Sequence, residues 1–245
     1  MTKKYELLED DTIEVNEITL YRIKALISFG CVDEGDLGGY IQSESNLSLD
    51  GNAWVSDNAQ VYGNAQVSGN ARVYGNAQVS GNAQVSDNAR VYGDAQVYDD
   101  AQVSDNAWVY GDAQVSDDAQ VYGDAWVSDD AQVYGDTQVY GDAWVYGNAQ
   151  VSGNAQVSGN AQVSGDARVC GDADLIWFSK VGSENGTLTV FKTENGALVV
   201  RGCFMGTPEE FLGKSAKVHN DKTRLEYEFL MKVALSRLDI APLTA

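Results

Sequence analysis

From Gly51 to Asp172 the apolar positions recur with a strict period of six. Val55, Val61, Val67 and Val73 open a series that runs without insertion or deletion to Val169. An alanine stands two positions before each valine, with Thr137 the single exception. The repeat reads [Gly/Asp]-[Asn/Asp]-Ala-x-Val-[Ser/Tyr]. Gly and Asn in every repeat disfavour a helix interior, so the period belongs to short strands joined by turns. Ala and Val lie two apart and share one side of a strand, while x and Ser/Tyr face the other way. Gly/Asp followed by Asn/Asp tolerates positive φ and marks a corner.

The variable position x counts the sides. Every eighteenth residue from 54 gives Trp54, Arg72, Arg90, Trp108, Trp126, Trp144 and Gln162. The next register gives Gln60, Gln78, Gln96, Gln114, Gln132, Gln150 and Arg168, and the third is Gln66 to Gln156 followed by Asp174. All the tryptophans of the repeats fall in one register of three. The coil is therefore three hexapeptides, and each register is one flat face of a triangular prism. About seven coils at ~4.8 Å each predict a rod of roughly 33 Å.

This three-sided, 18-residue pattern resembles the left-handed parallel β-helix of the hexapeptide-repeat superfamily, which has an aliphatic first position and a small fifth one. Val55-Ser56-Asp57-Asn58-Ala59-Gln60 and its copies fit that rule. The left hand is implied by the resemblance, since the period alone does not fix it. The opening segments Leu20-Tyr21-Arg22-Ile23-Lys24-Ala25-Leu26, Gly38-Gly39-Tyr40-Ile41 and Leu47 to Trp54 look like the YdcK-like branch. That branch carries the label of hexapeptide transferase-like proteins and also occurs in phages. The resemblance covers the N-terminal segment and the rod; it is specific for fold and weak for activity.

The fold class expected is mainly β: a left-handed parallel β-helix over 51–172, a small β cap over 1–50 and an α+β domain (ββαα) over 173–245. An uncovered β edge invites end-to-end polymerisation, so both ends need covers. Residues 187–192 and 197–201 flank Glu194-Asn195-Gly196, a hairpin signal. Thr207-Pro208-Glu209-Glu210 combines a capping box with Pro in the first turn and opens a helix to about Val218. A second helix, about Thr223 to Leu238, carries Leu225, Phe229 and Val233 at helical spacing.

The formal charge of −20 argues against direct nucleic-acid or anionic-membrane binding. Three widely spaced cysteines without a C-x-x-C read as reduced thiols. The N-terminus has no signal-peptide pattern and no run approaches a membrane span, so a soluble cytoplasmic protein is expected.

Catalytic machinery is not apparent. In the superfamily that the pattern resembles, acyl-CoA-dependent transferases need a His base at a coil edge, and zinc carbonic anhydrases need three His ligands. This chain has one histidine, His219, outside the rod. Its place at a helix end suits an interaction with terminal carbonyls. No enzyme activity, cofactor or metal is expected, and nothing points to a small-molecule ligand.

Binding is the better expectation. One face presents Trp54, Arg72, Tyr74, Arg90, Tyr92, Trp108, Tyr110, Trp126, Trp144 and Tyr146, a large aromatic strip. Such patches mark interaction surfaces, and Trp, Tyr and Arg are typical hot-spot residues. A bland alternative is a stacked ladder that stiffens the rod. Rings ~4.8 Å apart touch one another and leave no slot for a sugar or base. The Gln registers are expected to hydrogen-bond amide to amide, as in cross-β stacks.

The corners are acidic. Asp94, Asp112, Asp129 and Asp130 share one corner, and Asp99, Asp100, Asp117, Asp118 and Asp136 another. Sixteen Asp against three Arg give residues 51–172 a formal charge of −13. That is one acid per ~2 Å, near the one charge per ~1.7 Å of duplex DNA. Turn chemistry and solubility account for the acids; a DNA-mimic inhibitor, phage-encoded and aimed at a host defence or nucleic-acid enzyme, and cation bridging are the alternatives. The function expected is a non-catalytic scaffold that contacts a protein partner or its own copies through the Trp/Arg/Tyr face. An inactive or unusual acyltransferase-like protein is the third reading.

Overall fold

Each hexapeptide contributes only a two-residue rung, so the rod's stability comes from stacking rungs and not from any one strand. The computed structural model describes residues 3–193 and 196–241. Twenty rungs run from Trp54–Val55 to Arg168–Val169. Every rung up to Gln150–Val151 pairs in parallel with the one 18 residues on: Trp54 with Arg72, Gln60 with Gln78, Gln66 with Gln84. The result is three sheets, one per prism face, and the Trp/Arg face is a seven-stranded sheet. The expected coil is thus the observed one.

The alanines and valines of the repeats are fully buried and form one continuous core. Thr137 is buried among them because its hydroxyl donates to the Tyr134 carbonyl at 2.7 Å, which removes the cost of an unpaired polar group. At the corners the first residue is left-handed, as at Gly93 with φ 76° and Asp99 with φ 57°. A Cβ on Gly93 would stand 3.0 Å from the backbone N and O of Gly111 in the next coil. Asp is the one other residue type in that corner position, and its short polar side chain tolerates the conformation.

Hydrogen bonding around the rungs has a direction. N–H groups at x, at Ser/Tyr and at the corner donate to carbonyls of the following coil: Gln60 to Ala77, Tyr62 to Val79, Asn58 to Gly75. The first coil therefore presents carbonyls to the N-terminal end, and the last coil presents N–H groups to the C-terminal end. Each cover supplies the opposite partner.

At the N-terminal end, strands Tyr5–Val15 and Ile18–Ala25 pair antiparallel, and the second pairs with Leu37–Ile41. That third strand joins the Gln60 rung in parallel, so the cap extends one prism face. Its donors meet the open carbonyls. Lys4 Nζ donates to Ser48, Gly51 and Ala53, and Asn46 Nδ2 to Gly63 and Ala65. At the other end the acceptors arrive: Thr189 Oγ1 takes the Gln162 N–H at 3.1 Å, and Asp174 Oδ2 takes the Cys170 N–H at 3.1 Å.

The C-terminal unit is larger in strands than the expected ββαα. Leu175–Val181, Gly186–Thr193, Gly196–Arg201 and Phe204–Gly206 form a four-stranded antiparallel sheet. The outer two strands lack a turn signal as clear as the central hairpin's, whose residues Glu194 and Asn195 lie outside the described residues. Helix α1 (Pro208–Val218) begins at the Thr207 capping box, and α2 (Asp221–Arg237) is capped by Asn220. The stripe of Leu225, Phe229 and Val233 is not the buried side of α2. Those residues are exposed, while Tyr227, Met231, Ala234 and Leu235 face a second core. Tyr and Ala count weakly as apolar in a spacing argument, yet they fit against the sheet. No helix of the described residues is long and apolar enough to cross a membrane.

Candidate functional site

The Trp/Arg face holds two adjoining aromatic columns. Trp108, Trp126 and Trp144 stack with centroids 5.1 and 4.9 Å apart and planes within 5°. Tyr74, Tyr92 and Tyr110 stack likewise at 4.8 and 5.0 Å. The columns lock together edge to face, Tyr92 on Trp108 at 6.2 Å and Tyr110 on Trp126 at 6.3 Å. The Arg90 guanidinium caps the Trp column, 4.8 Å from the Trp108 ring. In-register parallel pairing dictates this geometry, because it sets each side chain directly over its copy one coil away.

Trp144 is the exception that opens the column. The residue above it is Gln162, and the position that would supply a tyrosine edge is Ser128. It is 41% exposed as a result. A shallow groove of about 720 Å³ runs beside the column, with Asp124 and Asp142 on its corner side. Burial holds the Tyr74 and Tyr92 phenols above their usual range; for Tyr92 the neighbouring phenols of Tyr74 and Tyr110 add to it.

One residue expected on the strip is core instead, and two others on the face lie outside the stacked columns. Trp54 is only 7% exposed, wedged edge-on against Tyr5 and Phe29 of the cap. The first coil lies beneath the cap, so its indole is core and not surface. Arg72 packs against Cys31 of the cap. Tyr146 stands apart from the tyrosine column, since Ser128 breaks the stack below it.

The Gln registers do not form the expected amide ladder. Among the described residues no Gln amide bonds to another Gln amide in these columns; Tyr140 Oη donates to Gln156 Oε1 at 3.4 Å instead. The ladder is at the corners. Asn52, Asn70, Asn88 and Asn106 pass a hydrogen bond from coil to coil and end on Asp124 Oδ1 at 3.0 Å. Asn has one torsion fewer than Gln, and the fixed corner backbone aims its amide at the next coil. The repeated Asn in the corner position is the signal that points there.

Four of the nine acidic-corner residues do similar work. Asp94 and Asp100 accept from Asn76 and Asn82, and Asp117 and Asp129 accept the N–H of Gly135 and Gly147 one coil on. Asp112, Asp130, Asp118 and Asp136 stack as carboxylates in the same columns, and Asp99 stands beneath Asp117. Among the described residues no group of three or more His, Cys, Asp or Glu is placed to hold a metal ion. His219 caps α1, its N–H donating to the Ser215 carbonyl, and its ring rests 5.6 Å from Tyr227.

The spacing of these columns has a counterpart among known families. Residues 65–81, 83–99, 101–117, 119–135, 137–153 and 149–165 match the family model described as the YdcK β-solenoid repeat. Within the rod, residues 65–165 are thus similar to the YdcK β-solenoid repeat. Five matched YdcK segments start 18 residues apart, one per triangular coil. The sixth starts 12 residues after the fifth, two sides further round, which a strict six-residue unit allows. No curated protein matches the chain. The YdcK match accounts for the solenoid and assigns no chemistry to its aromatic face.

Proposed function

We propose that this protein is a non-catalytic β-solenoid scaffold whose Trp/Arg/Tyr face binds a protein partner or a second copy of the chain. The observation that carries the reading is the ladder of Trp108, Trp126 and Trp144 beside an open groove, with Trp144 left exposed. Stacked rings in contact leave no gap for a planar ligand. The edges of the ladder instead offer a rigid, preformed apolar strip, which binds without an ordering cost. The sole histidine sits at a helix end far along the chain from the rod, which supports a binding role over an acyl-transfer one.

Sedimentation velocity and chemical cross-linking test this on the wild type and on Trp126→Ala with Trp144→Ala. Loss of the oligomer or of the captured partner in the double variant is the expected result. Unchanged assembly and unchanged capture would remove the face from the proposal.

A second reading, an acidic DNA mimic, has one observation in its favour: the −13 charge of residues 51–172. It requires tight binding to a basic DNA-binding protein that weakens steeply with salt. The mimic reading gives no role to the stacked tryptophans beside the open groove, so the scaffold reading is preferred.

A further inference from the structure

The C-terminal unit contains a cavity of about 290 Å³ between the end of the sheet and the two helices. One wall is a continuous run of rings: Phe204 to Phe211 at 5.4 Å, Phe211 to Tyr227 at 4.9 Å, and Tyr227 to His219 at 5.6 Å. Arg201, Lys214 and Ser215 also line it, and the one carboxylate in the lining is the exposed Glu184. On a chain of net charge −20 this is an unusually basic recess.

Two of its donor atoms lack an acceptor, while Arg201 Nη2 donates to the Val181 carbonyl at 3.4 Å. Among the described residues the buried side-chain polar atoms without a hydrogen-bond partner are Arg22 Nε, Gln60 Oε1, Arg201 Nε and Ser215 Oγ. Arg22 Nε is ion-paired with Asp11 at 2.8 Å, so three orphans remain. Two of the three line this cavity, and Ser215 is only 2% exposed. Buried polar groups are rarely left unpaired, and one that is calls for a functional, strain or bound-water or ion explanation. Gly182 contributes to the fit: a Cβ there would overlap the Tyr227 hydroxyl, so the ring can close against the sheet.

The geometry points to a binding site for a small organic oxyanion, a carboxylate or phosphate head on a flat apolar body. Arg201 Nε and Ser215 Oγ would donate to the head, Lys214 would supply charge at the mouth, and the ring wall would hold the body. The cavity is at the small end of ligand pockets, which suits a single-ring acid. The site is independent of the solenoid face and departs from the sequence expectation of no small-molecule ligand.

Isothermal titration of the full chain with benzoate and with phenyl phosphate tests it, with benzyl alcohol as the neutral body and inorganic phosphate as the bare head. Saturable one-to-one binding of at least one acid is expected, well above that of benzyl alcohol, and the acid preferred identifies the head group. Ser215→Ala should weaken it about tenfold and Lys214→Ala about threefold. Lys217→Ala, exposed on the same helix but outside the cavity, should leave it unchanged. Because Ser215 Oγ has no partner in the fold, its removal should not lower the melting temperature. No saturable binding of either acid would overturn the site. So would equal binding of benzyl alcohol, or full affinity in both Ser215→Ala and Lys214→Ala.

Discussion

The Lys4 ammonium donates to the Ala53 carbonyl at 2.8 Å, with two further bonds to Ser48 and Gly51, while the side chain lies 4.5 Å under the Phe29 ring. A charge 2% exposed thus closes the carbonyl end of the solenoid. Burial lowers its pKa from 10.5 to about 8, and Asp50 opposes the shift. Between those values the unfolded chain holds a proton that the folded chain has lost, so stability rises with pH across that window. The effect is about 3 kcal/mol at full extent. Above about pH 10 the buried Tyr5, pushed upward by burial and by Glu44, acts in reverse, since only the unfolded phenol ionises. Urea midpoints should therefore climb from about pH 8 and turn over near pH 10. Lys4→Met should flatten the climb; an unaltered slope would contradict the assignment.

The aromatic ladder predicts unequal costs along one column. Trp126 stacks on two neighbours and Trp144 on one. Each stack contributes about 1 kcal/mol beyond burial. Trp126→Ala should accordingly lower stability by about 1 kcal/mol more than Trp144→Ala, and should remove more of the near-ultraviolet circular dichroism. Equal losses would mean that the rings do not act as a column.

Corner chemistry separates two aspartates with the same backbone. Asp99 and Asp117 have φ of 57° and 56°, but only Asp117 accepts a hydrogen bond from the next coil, the Gly135 N–H at 3.0 Å. Asp99→Gly relieves a left-handed L-residue and should raise stability by about 1 kcal/mol. In Asp117→Gly the lost bond offsets that gain. Gly93→Ala, with its Cβ against the Gly111 backbone, should cost about 1–3 kcal/mol. Thermal melting of the three variants checks the order.

Helix α2 gives a direct test of which side is core. Phe229 is 57% exposed, whereas Met231 is fully buried. Phe229→Ser should change stability by about 0.5 kcal/mol or less, and Met231→Ala should cost about 2–5 kcal/mol. The opposite ranking in chemical denaturation would reverse the helix.

The solenoid was legible in the sequence because its restraints are local and repeat. A period of six with Ala and Val two apart specifies which side is buried, Gly and Asp in the corner position specify positive φ, and the cluster of Trp54, Trp108, Trp126 and Trp144 in one register specifies three sides. In-register stacking then follows from hydrogen bonding alone. What only the tertiary structure decided lies where the period stops or where two side chains of similar polarity compete. The cap, not the repeat, turned Trp54 from surface to core. One torsion separates the Asn ladder, which forms, from the Gln ladder, which does not. The outward turn of Leu225, Phe229 and Val233, and the meeting of Arg201 with Ser215 around one cavity, depend on how α1 and α2 seat on the sheet. Those contacts join residues with no shared spacing in the chain, so no pattern along it could announce them.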